Sequence, residues 1–140
     1  IAVAVDAEGL QRLFDSLEKE GFDVPPEHRT GFLDVIAGFE KVKVNRFLDR
    51  HVWRTDLFVV RGELLHSALA RARQATIGNK RVRVVAPEDI ILLKLIASRR
   101  KDLADVEEII DVCKDLDIPY LHEWAVKLNL TNRLADFLPK

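Results

Sequence analysis

Apolar and polar residues alternate in two rhythms along this chain, and the rhythms sort it into elements. The opening IAVAV is a run of small and β-branched residues closed by Asp6, which predicts a buried strand over residues 1–5. Asp6 then suits the cap of a helix over residues 7–20. Leu10, Leu13, Phe14 and Leu17 share one face there and charges occupy the other. Residues 22–24 follow as a short extended piece, and Pro25-Pro26 breaks the chain. A second helix is predicted over residues 27–38, burying Phe32, Val35 and Ile36, with Gly31 as a weak point. The rhythm then changes to a period of two. Val42 and Val44 alternate with Lys43 and Asn45 over residues 41–48, the pattern of a half-buried strand, and residues 52–60 form the next one. Asp49-Arg50-His51 turns between them, so the pair predicts a hairpin.

Helical spacing returns over residues 62–73, with Leu64, Leu65, Ala68, Leu69 and Ala72 on one face. Gly78-Asn79-Lys80 separates two short extended pieces and marks an antiparallel ribbon ending near Val85. Pro87 fits the first turn of a helix, where its missing N–H would be unpaired anyway, and Glu88 and Asp89 suit the positive end of the helix dipole. The run Ile90–Ala97 is apolar on every side except at Lys94. A buried ammonium is costly without an anion, so an acidic partner is expected opposite Lys94. A polar corner at residues 98–101 leads to a second helix over residues 102–116. Its Val106, Ile109, Ile110 and Cys113 should pack it, antiparallel, on the first. Pro119 opens a helix over residues 120–128, and Thr131 is placed to cap a last one over residues 132–138. The sum is one α/β (α+β) domain over residues 1–140, sheet-containing over 1–85 and helical over 86–140.

Composition narrows the class without naming it. Hydrophobic residues make up 48% and charged residues 32% of 140 residues, the balance of an ordinary globular domain with a real core. The net charge of −1 offers no global basic field for nucleic acid. A local cluster remains in Arg71, Arg73, Lys80, Arg81 and Arg83. The single cysteine, Cys113, excludes an intrachain disulfide and fits a reducing compartment, hence a cytoplasmic location. No apolar run reaches the length of a membrane helix, so no membrane partner is expected. The chain opens on Ile1 without a basic leader and contains no methionine, which reads as a processed or trimmed chain.

The run PEDIILLKLIASRRKDLADVEEII resembles the nucleotidyltransferase superfamily, in particular its minimal and AbiEii-toxin-like branches. The pattern falls on Pro87, Glu88, Asp89, Leu93–Leu95, Arg99, Lys101, Asp102, Asp105 and Val106, with Ser98 and Arg100 where Gly and Pro are usual. The likeness extends back through HVWRTDLFVV towards the N-terminus. It implies a mixed sheet flanked by helices with a helical C-terminal part. It also implies transfer of a nucleoside monophosphate from a nucleoside triphosphate to an acceptor hydroxyl, with Mg²⁺ or Mn²⁺. The acceptor would be a tRNA end, a protein side chain or a small molecule, and an antitoxin protein is an expected partner.

Asp56 is the sharpest candidate residue. An aspartate inside an apolar strand is costly unless paired or metal-bound, and the resemblance makes it the third carboxylate of a metal site. The other two would form an Asp-x-Asp just before Ile1, with a Gly-Ser phosphate cradle further upstream. Asp6 reads as a helix cap instead. Lys94 is assigned to the triphosphate or to a pairing with Asp56 or Asp105, and Lys101 to the triphosphate. Asp102 and Asp105 suit the dipole at a helix start, and the resemblance makes them supports of the site. Two other functions fit the same residues: a non-catalytic relative kept for binding or assembly, and a nucleic-acid-binding module using the Arg71–Arg83 cluster.

Overall fold

A computed structural model describes residues 1–138 of the chain. They form two compact units that divide between His66 and Ser67. The first holds β1 (Ala2–Val3), α1 (Ala7–Lys19), β2 (Phe22–Asp23), α2 (Pro26–Arg29), β3 (Asp34–Ile36), β4 (Phe39–Leu48) and β5 (His51–Val59). The dividing point falls inside α3 (Gly62–Arg71). The second unit continues with β6 (Arg73–Ile77), β7 (Lys80–Val84), α4 (Pro87–Ala97), α5 (Arg100–Val112), α6 (Ile118–Lys127) and α7 (Thr131–Ala135). The fold is therefore mixed α/β with a helical C-terminal part, as the sequence pattern predicts, and with the mixed sheet that the family resemblance implies.

In the first unit the strands lie in the order β1-β5-β4-β2, and β3 also pairs with β4. Only β1 runs parallel to its neighbour, β5; the other pairings are antiparallel. The alternation read along β4 and β5 is the one that builds the core. Val42, Val44, Leu57 and Val59 point to one face and meet Leu10 and Phe14 of α1, with Val24 beside them. Each such side chain, fully buried, contributes roughly 1.5–3 kcal/mol. Asp6 starts α1 as predicted, its carboxylate accepting from the Gly9 N–H at 2.7 Å.

Two readings of this region change. The residues of the opening IAVAV are exposed or half-buried, because β1 is a two-residue edge strand with a single neighbour. The predicted helix over residues 27–38 does not form. One turn, α2, ends at Gly31, which takes φ +92°. The chain then enters β3 and reverses through Ala37 and Gly38, at φ 52° and 81°. That two-residue turn, with both residues left-handed, is the hairpin geometry that matches strand twist, and it commits Val35 and Ile36 to pairing with β4. Phe32 and Val35 are exposed as a result. His28 locks the loop. Its Nδ1 donates to the Phe32 carbonyl at 2.8 Å and its Nε2 accepts from the Lys43 N–H at 3.4 Å.

The β4–β5 hairpin turns on two residues, Asp49 and Arg50, with Leu48 opposite His51.

In the second unit, β6 and β7 form the predicted ribbon. Ile91, Leu92 and Leu95 of α4, Val106 of α5, Leu121 and Ala125 of α6, and Leu134 of α7 are fully buried. Helix α4 packs on α5 and α6, and α6 packs on α7. Ser98 takes the left-handed conformation that ends α4, at φ 55°, where a glycine would be unstrained. The Leu95 carbonyl near that end accepts from Arg133 Nη1 at 2.8 Å.

Two boundaries and one burial differ from expectation. Helix α5 ends at Val112, so Cys113 is a half-buried extended residue and not helix core. Ile109 is half-buried, and Val106 is the fully buried residue of that face. Thr131 is the first residue of α7, which starts without a side-chain cap.

Candidate functional site

Asp56 lies on β5, an inner strand between β1 and β4. Its neighbours Thr55 and Leu57 point to the core face of the sheet, so strand alternation puts Asp56 on the opposite face. Its carboxylate accepts from Lys41 Nζ at 3.0 Å. Lys41 is almost fully buried and Asp56 is about half exposed, 11% against 44% for the side chains. The buried cation therefore needs the carboxylate more than the carboxylate needs the cation. Lys41 was not identified from sequence. Its signal was present, since the alternation that buries Val42 and Val44 places Lys41 on the face shared with Asp56.

Lys94 finds the acidic partner its position demands. Its ammonium pairs closely with the Asp105 carboxylate and lies 3.9 Å from Asp102 Oδ1. Asp102 is buried and takes two further hydrogen bonds from Arg99, at 2.5 and 3.1 Å. Those bonds hold the Asp102 carboxyl below the usual carboxylate range, against the opposing effect of desolvation. Arg99, Asp102, Asp105 and Lys94 thus form one cluster that ties α5 to α4. Lys101, one residue from Asp102, is exposed and has no ion pair among the described residues.

A second cluster joins α3, α4 and α6, and sequence reading missed it. Asp89, fully buried, accepts from Arg71 Nε at 3.3 Å and from the Tyr120 hydroxyl at 2.5 Å. Glu88, also buried, accepts from Arg71 Nη2 at 3.1 Å and from the Asp117 N–H at 2.9 Å. The Arg71 guanidinium lies 3.8 Å over the Tyr120 ring, and Ser67 Oγ is 3.1 Å from the phenol oxygen. Arg71 is therefore withdrawn from the surface cluster assigned to it, because two buried carboxylates require a cation. Arg83 is also engaged, donating to the Leu69 carbonyl. Arg73, Lys80 and Arg81 remain exposed on the ribbon. The available signal was the adjacent acidic pair Glu88-Asp89 at the head of a helix apolar on every side. Helix-dipole attraction accounts for such a pair on a surface but not in a core.

The second unit also carries an open cleft of about 600 Å³. It is lined by Ile110, Cys113, Leu116, Ile118, His122 and Leu138 among others, and is mostly apolar. None of Asp56, Lys94, Lys101, Asp102 or Asp105 lines it.

The described residues do not by themselves assemble a site for a divalent metal. Among the described residues no three His, Cys, Asp or Glu side chains converge as a metal site. Mg²⁺ gives up its waters reluctantly and a single carboxylate holds it poorly, and that of Asp56 already neutralises Lys41.

Residues 70–136 match a family model described as a nucleotidyltransferase of unknown function. Over that stretch, a little under half of its length, the chain is similar to this family. The matched stretch runs from the last two residues of α3 through α7, contains the Lys94 cluster and, apart from Ser67, the Asp89 cluster, and does not include β5 or Asp56. No curated protein matches the chain. No helix among the described residues is long and apolar enough to cross a membrane.

Proposed function

We propose that this chain has nucleotidyltransferase function, moving a nucleoside monophosphate from a nucleoside triphosphate to an acceptor hydroxyl, with Asp56 as one of the carboxylates involved. The observation that carries this reading is the parallel pairing of β1 with β5. Ala2 lies opposite Phe58 and Val3 opposite Val59, and the Ile1 nitrogen donates to the Asp56 carbonyl at 2.9 Å. In that register a residue preceding Ile1 in a continued strand would lie directly opposite Asp56. Its side chain would share the Asp56 face, and the residue two before it would share that face as well. These are the two positions at which the family resemblance calls for an Asp-x-Asp. Three carboxylates on neighbouring strands would make the oxygen-rich site that residues 1–138 lack alone.

Lys101 is exposed and unpaired among the described residues, and its assignment to the triphosphate rests on the sequence resemblance. Lys94 is held by Asp105 and Asp102 and ties α4 to α5. The AbiEii-like branch, a toxin role and an antitoxin partner rest on the sequence resemblance. The divalent ion does also.

The test compares the chain beginning at Ile1 with a version extended upstream along its gene. Each is incubated with labelled nucleoside triphosphates, Mg²⁺ or Mn²⁺, and a panel of RNA, protein and small-molecule acceptors. Transfer by the extended version alone is the expected result. Transfer by the chain beginning at Ile1 would refute the placement of the other two carboxylates before Ile1. Inactivity of both would favour a non-catalytic relative used for binding or assembly.

A further inference from the structure

The far end of the β4–β5 hairpin is not built as an ordinary solvent-facing turn. Phe47 and Trp53 are 64% and 63% exposed, and Leu48 and Val52 are 45% and 47% exposed. Between residues 43 and 54 the ribbon carries Lys43, Arg46, Arg50 and Arg54 against one acid, Asp49; Asp56, opposite Lys43, is taken by Lys41. None of these four cations forms an ion pair among the described residues.

Register sets the rings beside the cations. Phe22 of β2 lies opposite Arg46 of β4, which lies opposite Trp53 of β5, so the three form a row across one face. The Arg46 guanidinium sits 5.3 Å over the Phe22 ring. On the other face Phe47 opposes Val52, and Asn45 opposes Arg54. Side chains directly opposite in an antiparallel pair lie close enough to act together.

We infer that this hairpin is a binding surface for single-stranded nucleic acid. Unpaired bases stack on exposed rings and on guanidinium planes, and their phosphates pair with lysine and arginine. Each face of the hairpin offers both kinds of group, Trp53 beside Arg46 on one and Phe47 on the same face as Arg54 on the other. A second copy of the hairpin would not fit, because two ribbons with the same excess positive charge repel. A protein partner would have to supply a carboxylate for each arginine and an apolar pocket for each ring. The inference goes beyond the transferase reading and does not depend on it, since binding needs neither triphosphate nor chemistry.

The experiment is fluorescence anisotropy of a short, labelled, mixed-sequence single-stranded RNA titrated with the chain at several salt concentrations and without nucleotide. Binding is expected to weaken with salt, with a log–log slope of about −2 to −3 for contacts from up to four cations. The double variant Phe47→Ala/Trp53→Ala should lose about tenfold or more in affinity while its circular dichroism stays unchanged. Arg50→Glu/Arg54→Glu should abolish binding. Heparin, a polyanion without bases, should bind equally to the wild type and the ring variant. Absence of RNA binding would overturn the inference and leave a protein as the partner. So would binding unaffected by ring removal, or binding lost only on Lys80→Glu/Arg81→Glu in the other ribbon.

Discussion

The phenol of Tyr120 should ionise about two pH units later in the folded protein than in the unfolded chain. Burial pushes it up first, and the hydrogen bond it donates to Asp89 adds to that, since losing the proton would set a phenolate against a carboxylate. Ser67 and Arg71 pull the other way, and the net value is about 12, from an ordinary 10.0. Tyr120 is the chain's one tyrosine, so the ultraviolet band of tyrosinate reports this group alone. Titrated natively, the band should grow in with a midpoint near 12. In urea it should do so near 10.

The sign for stability follows. The folded pKa lies above the unfolded one, so the stabilisation is fully present below pH ~10 and is lost as the pH rises towards ~12. Removing the donor tests the same bond at neutral pH. Tyr120→Phe keeps the ring under Arg71 and deletes one hydrogen bond to a buried carboxylate, which should cost about 1.5–3 kcal/mol. Urea unfolding followed by Trp124 fluorescence in a Trp53→Phe background would read the second unit alone, since the chain has two tryptophans. A native titration midpoint near 10 would refute the reasoning. So would a Tyr120→Phe cost below ~0.5 kcal/mol, because either result means that Asp89 does not hold the phenol.

Other substitutions separate the remaining arguments. Val106→Ala should cost about 2–3 kcal/mol, two buried carbons plus the cavity they leave. The larger Ile109→Ala, at a half-buried site, should cost about 1 kcal/mol or less; the reverse order in urea melts would mean that α5 packs through another face. Asp56→Asn should destabilise the first unit by ~1–3 kcal/mol, because it leaves the buried Lys41 without its anion. Adding Lys41→Met should recover most of that loss, and failure to do so would mean that the pair contributes little. This control also keeps any effect of Asp56→Asn on transfer apart from a folding defect. Asp6→Ala should cost ~0.5–2 kcal/mol in thermal or urea melts through loss of the α1 cap.

The elements that can be read from sequence are those whose partners are close by or whose periodicity is strong. Asp6, three residues from the N–H it caps, and the i, i+3, i+4 spacing of Leu10, Leu13, Phe14 and Leu17 describe α1 without help from the rest of the fold. The two-residue alternation of Val42 and Val44 likewise gives β4 and its core face. The physical cost of a buried ammonium was enough to require an acid opposite Lys94, and Asp105 and Asp102 supply it. Long-range structure decided the rest. Residues 27–38 carry an apolar spacing that suits a helix, yet Gly31 and the left-handed Ala37-Gly38 turn let β4 capture Val35 and Ile36 as a strand. Glu88 and Asp89 look like helix-dipole residues until Arg71 and Tyr120, 17 and 31 residues away, are folded against them. Hydrogen bonding across such separations leaves no periodic trace. The pairing of Asp56 with Lys41, 15 residues apart, depends on the register of two strands, and one residue of slip would have sent the carboxylate to the core face.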